Sequence, residues 1–426
     1  MKLSSLRSWV LVAVVLVGLN AFVLASNPVL DWNLIAVNTA LAGDQTISPG
    51  STAPGGTGLY LAYVHLAIFN AVNAVSRDYH SYGVGLRAPR GASRKAAAIS
   101  AAYQTLLYYF PDQAANLAGQ YSTSLAGIPD SEAKDKGVLV GQAAAVQIIA
   151  RRSNDGRGAN VPYTYPASPE PGVWIPTPPG FLAPATPWVG QMAPFTMRSA
   201  SQFLPQDGPD DLGSRRWVRD YNETRILGAH DSIVRTPQHT EIALFWTQHT
   251  SSQYAATLRQ LAADRHLGTS QSARLFAMVW TAWADSFIGC YNAKYHFGFW
   301  RPVTAIPNGD IDGNTETLAD PAWLPLGTTP NHPEFPSAHS CLTGSLAETL
   351  ELYFRTPHIR LTVDSGVTGT THTFTNVRDM EDEVFRARIY AGFHFRHSNA
   401  EGFKLGHRVA KQLNREYFRP RQGDGR

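Results

Sequence analysis

Apolar positions along most of this chain recur at helical spacing, and strict alternation is scarce. The pattern predicts a helix over 58–75, and two alanine-rich helices over 92–110 and 130–152, the latter opening at an acidic cap. A long amphipathic helix is predicted over 270–295, and an apolar, helix-competent stretch over 340–354. Threonine and valine over 362–377 make that segment the best candidate for a small hairpin. Residues 155–200 break the pattern. Pro162, Pro166, Pro169, Pro171, Pro176, Pro178, Pro179, Pro184 and Pro187 exclude long helices there. Trp174 and Trp188 in the same stretch argue for a loop packed over the body, near a site mouth, rather than a linker. No internal repeat stands out. The expectation is an all-α protein: one large domain of bundled helices, two four-helix bundles packed together, with long Pro- and aromatic-rich loops.

The amino terminus changes the picture of where that domain begins. Lys2 and Arg7 precede an apolar run from Trp9 to Ala25, and Val23-Leu24-Ala25 offers compact residues for cleavage before Ser26. Residues 1–25 therefore read as a signal peptide, with a retained membrane anchor as the alternative, since the run sits at the short limit for a span. Residues 26–426 would form the single exported domain. No later segment is expected to cross a bilayer.

Composition narrows the function. With 44% hydrophobic and 16% charged residues, the chain has ample material for a core and is neither disordered nor a coiled coil. The formal charge of +3 is weak, and no basic run marks a nucleic-acid partner. Two cysteines, Cys290 and Cys341, exclude a disulfide-built scaffold; one bridge or two buried thiols remain open.

The candidate chemistry lies in three short motifs. Lys294 and Arg301 are seven residues apart, and Pro302 disfavours helical geometry at Arg301, leaving its guanidinium free to grip an anion. Pro336-Ser337-Ala338-His339 precedes a predicted helix. The amides of Ser337, Ala338 and His339 would face an anion there, Ser337 adds a hydroxyl and His339 a group that titrates near neutrality. Arg388 and His394 are six apart, with Gly392 leaving room between them. Each motif alone is common: a solvated helix end, a helix cap, a surface pair. Together they supply three permanent cations, a hydroxyl and two histidines with no carboxylate among them, an inventory for holding an oxyanion.

In this order the motifs resemble the vanadium-dependent haloperoxidases and the acid phosphatases of the same superfamily, marked by Lys-x6-Arg-Pro, Pro-Ser-Gly-His and Arg-x5-His. The specific resemblance runs from Ala284 to Gly402. Ala338 replaces the usual glycine, Ala387 a frequent serine, and Ser398 stands where many members place an aspartate that supports the histidine. The resemblance implies vanadate as cofactor, with His394 as its only protein ligand to the metal. Lys294, Arg301, Arg388, Ser337 and the amide of Ala338 would hold the oxygens. His339 would be the acid–base residue, and Lys294 would polarise bound peroxide. His332 occupies a position that resembles histidine in bromoperoxidases and phenylalanine in chloroperoxidases, which favours bromide or iodide. His296 stands near Lys294 without a role, and His249, His372 and His397 have no evident partner.

The expected function is oxidation of halide by hydrogen peroxide to hypohalous acid. An organic acceptor and a homo-oligomer stay open. The same residues suit a phosphoesterase in which His394 becomes a phosphohistidine and His339 protonates the leaving oxygen. A helical protein that binds an anion without turning it over is the third reading.

Overall fold

The computed structural model describes residues 27–421, so the expected leader at 1–25 lies outside the described residues. Helices α1 (Pro28–Leu41), α2 (Pro54–Ser76), α3 (Arg94–Tyr109), α4 (Ala114–Ala126) and α5 (Glu132–Arg152) come first. The Pro-rich stretch follows, then α6 (Arg215–Leu227), α7 (Pro237–Phe245), α8 (Thr250–Asp264), α9 (Thr269–Phe297) and the single turn α10 (Pro302–Ala305). Helix α11 (Ala338–Phe354), strands β1 (Leu361–Ser365) and β2 (Thr370–Phe374), and helices α12 (Val377–Tyr390) and α13 (Arg396–Glu416) complete the chain. The all-α expectation holds, and the hairpin falls where the threonines and valines put it, with Val363 paired to His372. One cap differs: α5 is started by the Ser131 hydroxyl, which accepts from the Lys134 amide, and not by an acidic residue.

Two groups of helices meet on α9. Helix α2 packs against α3, α5 and α9, while α9 also packs against α11 and α13, and α11 against α12 and α13. One continuous apolar core runs from Val29 and Trp32 of α1 through Trp280 and Trp283 of α9 to Leu413 of α13. The expectation that no segment after the leader could span a bilayer needs correction. Helix α2 has 23 residues and is apolar enough to do so. Its residues are almost all buried inside the protein, which is why it carries no polar face.

Glycine sets the distance between α11 and α13. A Cβ on Gly402 would lie 2.6 Å from the Ser337 carbonyl oxygen and 2.8 Å from the Ser340 Cβ, so only glycine lets α13 cross the start of α11 this closely. The Pro-rich stretch contains only a short 3₁₀ turn, Pro187–Gln191, and lies on the body with Trp174 and Trp188 buried. Its far end is tied to α9 by Asp285, whose carboxylate accepts from the amides of Phe195 (2.6 Å), Thr196 (2.7 Å) and Met197 (3.1 Å).

Candidate active site

Lys294 sits in the last turn of α9, which closes at Gly298 in the left-handed region (φ 57°). The chain then turns, and Arg301 caps α10 from outside the helix, as Pro302 requires. Ser337 caps α11, with Ala338 and His339 in its first turn. Arg388 lies in the last turn of α12, and His394 in the short connection to α13. Three chain segments, the turn from α9 to α10, the entry to α11 and the connection from α12 to α13, thus bring the motif residues to one place. Lys294, Arg301, Ser337, Arg388 and His394 are all buried.

Burial dominates their electrostatics. Desolvation pulls the Lys294 ammonium down to about 7, with Arg301 adding to the fall and Cys290 and Glu334 opposing it. Arg301 falls to about 10 and Arg388 to about 9, both chiefly through desolvation, so both guanidinium groups stay charged near neutrality. His332, His339 and His394 are pushed well below the usual histidine range by burial and by neighbouring cations. All three rings are neutral at pH 7.

Hydrogen bonds fix the roles of the ring nitrogens. Arg301 Nη1 lies 3.1 Å from His394 Nε2, and a guanidinium can only donate, so Nε2 carries the lone pair. The proton is then on Nδ1, which donates to Glu334 Oε1 at 2.8 Å. Arg301 also donates to the carbonyls of His332 and Phe393, both at 2.9 Å, and its Nη2 lies 3.0 Å from His332 Nδ1. Lys294 Nζ donates to the carbonyls of Pro333 (2.8 Å) and Glu334 (3.0 Å), which leaves one of its three protons for an oxyanion. Arg388 Nη1 donates to the Trp246 carbonyl at 3.1 Å, and its guanidinium lies over the Phe393 ring.

Glu334 corrects the expectation of a site without a carboxylate. Fully buried, it accepts from His394 Nδ1, from the Phe395 amide at 3.0 Å and from the Ser398 hydroxyl. Desolvation raises its carboxyl to about 7, while Ser398, Arg301 and Lys294 hold it down. The support that Ser398 seemed unable to give His394 comes from Glu334, with Ser398 orienting it. A second correction concerns the Ser337 amide, which donates to the Ser398 carbonyl at 3.0 Å and is not available to an anion.

A cavity of about 180 Å³ opens onto this cluster. His332, Ala338, His339, Arg388 and His394 line its reactive end, and Phe287, Tyr291 and Leu342 part of its apolar wall. Ala185 and Thr186 of the Pro-rich stretch also line it, as expected of a loop at a site mouth. Thr250, Pro330, Asn331 and the start of α2 complete the wall. Thr250 Oγ1 lies 3.1 Å from His339 Nε2. His296 is exposed and does not line this cavity. His249 Nε2 meets the Thr52 carbonyl at 3.0 Å, His397 Nε2 the Gly208 carbonyl at 3.1 Å, and His372 lies between Glu241 and Glu383. Cys290 and Cys341 are buried free thiols.

The donor set suits vanadate. Among the described residues, Ser337 Oγ and Arg388 Nε are buried without a hydrogen-bond partner, a costly condition that an oxyanion between them would relieve. His394 Nε2 offers a neutral nitrogen lone pair, and three cations face a single carboxylate among the described residues of the cluster.

Residues 274–423 match the family described as the VCPO second helical-bundle domain. A vanadium chloroperoxidase from Curvularia inaequalis is 23% identical, the match covering 77% of this chain and 66% of that protein. The chain thus spans just under two thirds of that relative's length. The crystal structure of the first bacterial vanadium-dependent iodoperoxidase superposes with a TM-score of 0.77 at 21% identity, covering 93% of this chain and 97% of that one. A bacterial vanadium-dependent chloroperoxidase in its holo form superposes with a TM-score of 0.64 at 17% identity, covering 87% and 93%. Over residues 274–423 the chain is thus similar to the second helical-bundle domain of the vanadium chloroperoxidases, and its fold is that of the bacterial vanadium-dependent haloperoxidases.

Proposed function

We propose that this chain is a vanadate-dependent haloperoxidase that oxidises bromide or iodide with hydrogen peroxide to hypohalous acid. One observation carries the reading: the unpartnered Ser337 Oγ and Arg388 Nε lie in the same buried cationic cluster as the His394 Nε2 lone pair, beside a cavity. The chemistry supplied by vanadate when bound is Lewis-acid activation of hydrogen peroxide toward halide. His394 would be its protein ligand through Nε2. Lys294, Arg301 and Arg388 would neutralise its oxygens, with Ser337 Oγ and the Ala338 amide donating. The remaining Lys294 proton would polarise peroxide oxygen. Neutral His339 would take the proton that peroxide must lose.

His332 supports the halide choice, because it lines the cavity beside Arg301 and presents a polar ring to the entering anion. Structural similarity to an iodoperoxidase agrees with that preference. The cleavable leader would place the enzyme outside the cytoplasm, soluble once the leader is removed.

The test is bromination of a dye and oxidation of iodide by the purified protein, with peroxide, before and after loading with vanadate. Activity that requires vanadate is the expected result. Hydrolysis of an aryl phosphate without vanadate, and no halide oxidation with it, would replace this reading by the phosphoesterase that uses His394 Nε2 as nucleophile. Anion binding with neither activity would leave a binding protein.

A further inference from the structure

His339 is held on both sides by one turn of chain, the connection from α7 to α8. One ring nitrogen hydrogen-bonds to the Trp246 carbonyl, the same oxygen that accepts from Arg388 Nη1. A carbonyl can only accept, so that nitrogen carries the ring proton. The other nitrogen, Nε2, lies 3.1 Å from Thr250 Oγ1. With the ring neutral, Nε2 is an acceptor, and Thr250 must be the donor. The Thr250 hydroxyl is buried, lines the cavity, and makes no other hydrogen bond among the described residues. Its oxygen lone pairs are therefore open to a molecule in the cavity.

We propose that Thr250 is a further catalytic residue, a relay through which His339 exchanges its proton with the substrate oxygen. In the forward step the substrate O–H gives its proton to Thr250 Oγ1 as the Thr250 hydroxyl proton passes to His339 Nε2. One O–H bond breaks and one forms at Thr250, an N–H bond forms at His339, and the substrate is left as the oxyanion. When a leaving oxygen needs a proton the two transfers reverse. The inference rests on reading His339 as the acid–base residue, and it serves a peroxide or a phosphate ester alike.

Thr250→Val keeps the shape and removes the hydroxyl, while Thr250→Ser restores it. Halide oxidation with vanadate, aryl phosphate hydrolysis without it, and vanadate affinity are measured for each. Turnover in Thr250→Val should fall roughly 10²-fold, the scale of general acid–base catalysis, with vanadate affinity within about twofold of wild type because Thr250 does not hold the anion. Thr250→Ser should recover most of the loss. Rates in mixtures of light and heavy water should curve for wild type, two protons moving together, and become linear for Thr250→Val. Wild-type turnover in Thr250→Val, or unchanged curvature, would overturn the relay. If wild type turns over neither substrate, the functional reading fails. The ¹⁵N shift of His339 Nε2 would still decide for Thr250: no change in Thr250→Val would remove the hydrogen bond on which the relay depends.

Discussion

At the scale of single residues, the site is a balance between three desolvated cations and one buried acid. Glu334 holds His394 in the tautomer whose Nε2 carries the lone pair, which accepts from Arg301 Nη1. Glu334→Gln should weaken vanadate binding about 10- to 100-fold, the usual cost of losing a partner behind a ligand histidine; an unchanged affinity by titration calorimetry would deny Glu334 that role. Lys294 gives a pH dependence whose sign follows from its depressed value of about 7. Below that pH the ammonium is already charged. Above it, a bound anion must draw in a proton, so affinity should fall by up to about tenfold per pH unit. Sulfate, whose own charge is constant over this range, is the probe, and Lys294→Met should reduce the slope to the part contributed by Glu334, whose buried carboxyl also lies at about 7. Lys294, Arg301, Ser337, His339, Arg388 and His394 were legible because short spacings announce them. Glu334 was not: an acid between Pro333 and Phe335 reads as loop, and its partner lies 60 residues away. Thr250 and Trp246 reach His339 only through tertiary packing, and no local pattern marks them.

At the scale of elements, helix ends do the positioning. The last turns of α9 and α12 carry Lys294 and Arg388, the start of α11 carries Ser337 and His339, and the connection into α13 carries His394. Periodicity located α2, α3, α5, α9 and α11 to within a few residues, but it did not mark α13, which is 21 residues long. It could not show that α11 and α13 cross in near contact, since that depends on which residue faces which. Gly402→Ala would set a methyl 2.6 Å from the Ser337 carbonyl, and backbone cannot yield as a side chain can. Overpacking of this kind costs about 1–3 kcal/mol. The expected outcome is a lower melting temperature together with weaker vanadate binding, because the strain falls on the Ser337 turn. A melting temperature equal to wild type would mean that the helices separate freely.

At the scale of the whole molecule, most of the charge is balanced and the imbalance is local. A net charge of +3 on 426 residues gave no sign of a buried cationic cluster. The fold class was legible, since helical spacing with few alternating segments leaves little else. That the apolar α2 is interior was not, because composition alone cannot separate a core helix from a membrane span. Burying Lys294, Arg301 and Arg388 together opposes folding, so an anion that binds only the native state should stabilise the entire chain. Vanadate at one hundred times its dissociation constant should add about 2.7 kcal/mol, read as a rise in calorimetric melting temperature. Arg388→Ala should remove most of that rise, and an equal rise in the variant would place the anion elsewhere.

The eight residues from His332 to His339 contain the cavity-facing imidazole, the acid behind His394, both carbonyls that hold Lys294, the Ser337 hydroxyl and the histidine proposed as the acid–base residue. Such crowding constrains how the protein can evolve. A substitution that shifts this backbone alters anion grip, ligand orientation and proton transfer together, so double changes within it will be strongly non-additive. On the proposed function, new halide or substrate preferences should therefore be more accessible through the Pro-rich stretch around Ala185 and Thr186, whose residues border the same cavity and are not among those proposed to hold the anion.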